Sequence, residues 1–92
     1  MTLRIKESVL IESIDENRYL VFLNDTGKSY LINSSVNYFI GLCMNERFEV
    51  VREKYIENYV NGTNNRLMLE NHVNSIFFRL KDLGFIEVVD DE

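Results

Sequence analysis

The chain has 92 residues, of which 46% are hydrophobic and 27% are charged, and it contains four Gly, no Pro and a single Cys. These values are typical of one small globular domain, and a domain of this size buries too little surface for a deep, enclosed active site. One Cys and one His are too few for an internal disulfide or for a zinc site built from Cys and His alone. The composition favours a surface groove as the functional feature and predicts no cofactor.

Acidic residues outnumber basic ones by fifteen to ten, which gives a net charge of −5 at pH 7. That sign is wrong for binding a phosphate backbone by counterion release, so nucleic acid is not an expected partner. No apolar run approaches the roughly 20 residues of a membrane span, and residues 1–7 contain no continuous apolar segment of signal-peptide length. We therefore expect a single cytoplasmic domain over residues 1–92, without membrane contact and with flexible tails at residues 1–7 and 90–92.

Three segments in the first third of the chain have the β-branched and aliphatic composition of strands: Ser8–Ile14, Arg18–Leu23 and Lys28–Ile32. The polar run Asp15-Glu16-Asn17 separates the first two segments. Gly27 precedes the third and can adopt the positive φ that a short hairpin loop often needs. This pattern predicts a small three-stranded antiparallel sheet.

The hydrophobic period then changes to the three- and four-residue steps of helices. Asn33-Ser34-Ser35 is an N-cap signal, and the apolar stripe from Val36 to Cys43 predicts a helix that ends at Met44-Asn45-Glu46. A second stripe runs from Phe48 to Tyr59 and stops at the Asn-rich linker of residues 61–65.

The third stripe, from Leu69 to Leu83, is the longest, and Gly84 suits the position just beyond a helix end. Phe85–Val89 then has the composition of a short strand. The predicted order is β-β-β-α-α-α-β, which is an α+β, winged-helix-like domain with an N-terminal three-stranded sheet, three helices and a short C-terminal strand.

The segment from Lys28 to Asn45 resembles the PqqD family, in which a strand ends in Leu-Asn, enters a helix through small or hydroxyl residues and closes with an aliphatic pair near Asp-Gly. This chain has Ile32-Asn33, Ser34-Ser35 and Met44-Asn45 at those places, so it departs from the pattern at Ile32 and at Met44-Asn45. The resemblance covers roughly residues 9–89. It also rests on Thr26-Gly27, which matches the hairpin of related lasso-peptide cluster proteins, on Val51, Tyr55 and Tyr59, and on the closing run Val73, Ile76, Phe77, Leu80, Gly84, Phe85 and Ile86.

The resemblance implies a RiPP recognition element, a non-catalytic domain that binds the leader of a ribosomally synthesised precursor peptide. In such domains the leader adds as a strand beside the third strand and lies between that strand and the third helix. The implied partners are the leader peptide and a modifying enzyme, either a radical enzyme that uses S-adenosylmethionine or a lasso-type protease and cyclase. The implied edge residues here are Lys28, Ser29, Tyr30, Leu31 and Ile32.

Two sides of the third helix are candidates for the other wall of the groove. At 100° per residue, Phe77 and Lys81 lie about 80–120° to one side of the core stripe, whereas Arg79 lies at about 280°. We favour the first side, with Val73 and Asn74, because an aromatic floor with a flanking cation suits an apolar anchor next to an acidic leader residue. Arg79 is the cation of the alternative wall.

Phe78 lies about 180° from the core stripe, so we expect it to be exposed and to contact the partner enzyme. His72 is interpreted as a histidine at the solvent edge. Residues 1–7 or a second copy of the chain are alternative occupants of the strand edge, and the latter would make a homodimer that competes with the leader.

Two other functions remain as alternatives. One is a winged-helix regulator that places its third helix in the DNA major groove, although Arg66, Arg79 and Lys81 make a sparse set of phosphate contacts. The other is a protein-interaction module without a peptide groove. No pair of side chains at helical spacing combines a nucleophile with a base, so the sequence predicts no catalytic residue.

Overall fold

Four strands precede the first helix in the structure, a computed structural model that describes residues 1–60 and 65–89. They are β1 (Thr2–Ile5), β2 (Val9–Ser13), β3 (Arg18–Leu23) and β4 (Lys28–Asn33). The last three form an antiparallel sheet in the order β2-β3-β4, which confirms the predicted three-stranded sheet. Residues 61–64 of the predicted linker and the predicted tail at 90–92 lie outside the described residues.

The two turns of this sheet follow from their local chemistry. At the first turn, Asp15 Oδ1 accepts hydrogen bonds from the backbone N–H groups of Asn17 and Arg18, both at 2.9 Å. At the second turn, Gly27 has a φ of 76° and donates its N–H to the carbonyl of Leu23 at 2.8 Å. A residue with a side chain would be strained at that φ, which is why glycine occupies the position.

The three helices are α1 (Ser34–Leu42), α2 (Phe48–Tyr59) and α3 (Arg66–Leu83). Asn33 caps α1 as predicted, because its side-chain oxygen accepts a hydrogen bond from Val36 N–H at 3.0 Å. Gly84 ends α3 with a φ of 85°, also as predicted. Between α1 and α2 the chain forms a fifth strand, β5 (Met44–Arg47), which the sequence pattern did not indicate.

The N-terminal residues form a strand, so the expectation of a flexible tail at residues 1–7 is wrong. β1 is the central strand of a second antiparallel sheet, ordered β5-β1-β6, where β6 is Ile86–Val89. Thr2 pairs with Val89 and Leu3 with Val88, so the partner strand comes from the opposite end of the chain. Leu3 is fully buried. Burial of this side chain and pairing on both edges hold the segment in place.

One hydrophobic core joins the two sheets and the three helices. Its fully or almost fully buried members include Leu3 from β1, Val21 from β3, Phe39 from α1, Tyr55 from α2 and Val73 from α3. The architecture is therefore the predicted α+β arrangement with a C-terminal strand, extended by the β5-β1-β6 sheet. None of the helices in the described part of the chain combines the length and the apolar character needed to cross a membrane.

Candidate functional site

β4 is an edge strand of the β2-β3-β4 sheet. Within residues 1–60 and 65–89, no strand pairs with its outer edge. Residues 1–7 do not cover this edge, because Thr2–Ile5 pair with β5 and β6 in the other sheet. That alternative occupant is therefore excluded. An open strand edge presents backbone N–H and C=O groups to any extended peptide that can reach it.

The hydrogen bonds of β3 determine which backbone groups of β4 remain available. Asn24 N–H donates to the Ser8 carbonyl at 2.8 Å, and Ile14 N–H donates to the Arg18 carbonyl at 2.9 Å. Along a strand of an antiparallel sheet, the backbone N–H and C=O groups of one residue bond to the strand on one side, and those of the next residue point to the opposite side. The even-numbered residues of β3 therefore bond to β2, and the odd-numbered ones bond to β4.

The residues of β4 opposite those odd-numbered positions are Lys28, Tyr30 and Ile32. Their backbone groups are consequently used within the sheet. Ser29 and Leu31 lie between them and direct their N–H and C=O groups toward the open edge. Two residues of this edge can thus offer about four hydrogen bonds to an added strand.

The side chains of β4 alternate between two environments. Tyr30 and Ile32 are half-buried and pack against the core, and the Tyr30 ring meets the Phe85 ring edge-on at a centroid distance of 5.4 Å. Leu31 points the other way and is 62% exposed. An added strand would therefore meet an apolar wall on one side of the edge and the exposed Leu31 on the other.

A groove of about 710 Å³ lies between β4 and α3. Its sheet side is formed by β4 together with Leu20, and Val36 and Phe85 contribute apolar surface. Its helix side is formed by His72, Ser75, Ile76, Arg79, Leu80 and Leu83. The structure thus brings Ser29, Tyr30, Leu31, Ile32 and Arg79 of the predicted site into one groove. Lys28 begins β4 but is not part of the lining.

The side of α3 that we favoured does not line this groove. Phe77 is only 5% exposed, and its ring packs against the Phe48 ring at 4.9 Å, on the side where α2 begins. Val73 is fully buried, and neither Asn74 nor Lys81 lines the groove. The physical reason is that Phe48 offers Phe77 a partner within the core, so α3 turns the side that carries Arg79 toward β4.

Nine lining residues were not in the predicted peptide site: Leu20, Asn33, Val36, His72, Ser75, Ile76, Leu80, Leu83 and Phe85. Positions 72, 75, 76, 79, 80 and 83 follow one another at alternating steps of three and one, which places them along one face of α3. That spacing is the signal that could have identified the wall from the sequence. His72 is exposed, as expected, but it stands at the groove.

The groove contains few ionisable side chains. Its ionisable side chains are His72, Arg79 and the phenol of Tyr30, and no carboxylate lines it. Cys43 lies elsewhere in the fold, donates its thiol hydrogen to the Phe39 carbonyl at 3.3 Å, and has its pKa raised to about 12 by burial. Such a thiol is a poor nucleophile at neutral pH. Within the described residues no three His, Cys, Asp or Glu side chains are grouped as metal ligands.

Comparison with known proteins gives structural neighbours only. Neither a protein-family model nor a curated protein matches the sequence. The fold is similar to that of TbiB1 in complex with the TbiA(β) leader peptide, with a TM-score of 0.74, 17% identity and coverage of 96% of this chain and 99% of that one. It is also similar to lasso peptide synthetase B1 complexed with the leader peptide, with a TM-score of 0.72, 11% identity and coverage of 96% and 100%. The chain therefore has the fold of these two proteins over nearly its whole length.

Proposed function

We propose that this protein is a non-catalytic domain that binds the leader of a ribosomally synthesised precursor peptide by β-strand addition to β4. The observation that carries the proposal is the open edge at Ser29 and Leu31, which lies against an apolar helix wall. The two solved structures with this fold each contain a leader peptide, which supports the same type of ligand here.

Hydrogen bonds alone cannot supply the affinity. About four edge bonds at roughly 0.5–1.5 kcal/mol each give only a few kcal/mol, whereas a micromolar complex needs about 8 kcal/mol. Apolar side chains of the leader must therefore enter the groove beside Ile76 and Leu80. The backbone bonds fix the position of the peptide, and these anchors provide most of the remaining free energy and the selectivity.

We assign Phe78 to a contact with the modifying enzyme, which is either a radical enzyme that uses S-adenosylmethionine or a lasso-type protease and cyclase. Its side chain is 60% exposed although its ring packs on Phe77 at 5.3 Å. Phe78 does not line the groove, so leader and enzyme can be bound at the same time. An exposed aromatic residue of this kind is a common anchor of protein interfaces.

Within residues 1–60 and 65–89, the structure gives no support for DNA binding. Arg66, one of three cations on α3, is held by carboxylates, with Arg66 Nη2 lying 2.6 Å from Glu53 Oε1 and Arg66 Nε 3.4 Å from Glu70 Oε2. A cation already paired with acids is a weak phosphate ligand. The net charge of −5 opposes DNA binding as well.

Leu31→Pro is the direct test of strand addition. The substitution removes the N–H that faces the open edge, and it leaves the β3–β4 hydrogen bonds in place because those use Lys28, Tyr30 and Ile32. We expect at least a tenfold loss of affinity for the leader of a cognate precursor peptide, measured by isothermal titration calorimetry. Leu31→Ala, which keeps the N–H, is the matched control and should lose less.

Circular dichroism must show that the Leu31→Pro variant is folded. A folded variant with wild-type affinity would contradict strand addition. Light scattering tests the competing occupant: a dimer that the leader cannot dissociate would mean that a second copy of the chain fills the edge.

A further inference from the structure

The groove differs in charge from the rest of the molecule. Acidic residues outnumber basic ones by fifteen to ten in the chain, yet the groove lining contains Arg79 and His72 and no carboxylate. A guanidinium thus stands in a groove that has no acidic side chain, on a protein that is acidic overall. Nonspecific attraction cannot draw an acidic peptide to this domain, because the overall charge repels it.

Arg79 also differs from most other arginines of the described residues in having no acidic partner. Arg4 pairs with Glu87 at 2.7 Å, Arg18 with Asp15 at 2.7 Å, and Arg66 with Glu53 at 2.6 Å. No carboxylate within residues 1–60 and 65–89 lies within 4.0 Å of Arg79, although Asp82 follows it by three positions on α3. Its five N–H donors are available to a ligand.

The neighbours of Arg79 set where a ligand carboxylate would be. Ile76 and Leu80, which flank it on α3, supply the apolar wall of the groove. A strand added to β4 turns every second side chain toward α3. An apolar anchor that contacts Ile76 or Leu80 and a side chain that reaches Arg79 must therefore share one face of the added strand.

We propose that the groove selects leader segments in which an Asp or Glu lies an even number of positions, two in the shortest case, from an apolar anchor, and that Arg79 binds this carboxylate. The planar guanidinium can hold a carboxylate through two parallel hydrogen bonds, which an amide of the same shape cannot reproduce. This inference rests on the proposed function, because it assumes that the peptide adds to β4.

A phage-displayed library of random twelve-residue peptides provides a probe that does not depend on knowing the natural leader. The library is selected against the wild type, Arg79→Glu and Lys81→Glu. Lys81→Glu is the matched control. It changes the charge by the same amount as Arg79→Glu, and Lys81 lies two residues from Arg79 on the same helix but does not line the groove. All three proteins are checked by circular dichroism before selection.

The wild type and Lys81→Glu should enrich the same acidic position, an even number of positions from an apolar one, and Arg79→Glu should enrich Lys or Arg at that position instead. For the most enriched wild-type peptide, changing the acid to its amide should weaken binding to the wild type about fivefold, or about 1 kcal/mol at 1.4 kcal/mol per tenfold. A further variant, Arg79→Gln, lacks the guanidinium. Changing the acid of the peptide to its amide should alter the affinity for this variant by less than twofold.

Two failures can be told apart. The role of Arg79 is overturned if the wild type enriches no acidic position, or if Arg79→Glu selects the same motif as the wild type. Strand addition still stands in that case, provided that Leu31→Pro no longer binds the selected peptides. If folded Leu31→Pro binds the selected peptides with wild-type affinity, strand addition is overturned, and with it the inference that rests on it.

Discussion

Phe77 and Arg79 show how the position of a single residue depends on what packs beside it. They lie two residues apart on α3, yet Phe77 is 5% exposed in the core and Arg79 lines the groove. Helical spacing places both at the border of the apolar stripe, so it cannot decide between them. Which of the two residues is buried depends on Phe48, more than twenty residues earlier in the chain, because its ring packs against Phe77 on one side of α3.

Phe77→Ala should therefore act on stability and not on recognition. Removal of this buried ring should lower the free energy of unfolding by about 3–5 kcal/mol, measured by urea denaturation, because it leaves a cavity against Phe48. Phe77→Leu should cost less. At a temperature where both variants are folded, their affinity for the leader should match that of the wild type. A large loss of affinity with unchanged stability would restore Phe77 to the groove wall.

At the scale of elements, the sequence predicts those strands, caps and helix ends that depend on residues close together in the chain. The edge strand β4, the cap at Asn33 and the end of α3 at Gly84 were all predicted, because composition, side-chain capping and positive φ act within a few residues. The strands β1 and β5 were missed. Each has four residues, and β1 becomes a strand only by pairing with β5 and with β6 near the opposite end of the chain.

The β1 strand should consequently be essential to the fold. Deletion of residues 1–6 removes the central strand of the β5-β1-β6 sheet and the buried Leu3, and it leaves β5 and β6 without a common neighbour. We expect the truncated chain to lose its cooperative thermal transition in circular dichroism. Leu3→Ala is the milder test and should cost about 2–5 kcal/mol. A truncated chain that melts like the full chain would mean that the segment is the dispensable tail suggested by its composition.

At the scale of the molecule, the two sheets depend on each other through one core. Buried Val21 and Leu23 come from the sheet that presents the groove, and buried Leu3 and Ile86 come from the other sheet. Phe85, which leads into β6, also packs on Tyr30 of the edge strand. The peptide groove is therefore supported by a sheet that does not form part of its open edge.

This dependence predicts that residues 1–92 unfold as one domain. Ile86→Val in β6 should lower the free energy of unfolding by about 0.5–1.5 kcal/mol. Hydrogen exchange in moderate urea should show the same decrease for the slowest amides of β3 as for those of β1, since both open in one cooperative step. Val21→Ala in β3 is the reciprocal variant and should lower protection in β1 and β6. If each substitution affects only the amides of its own sheet, the two sheets unfold separately and the groove does not rely on the second one.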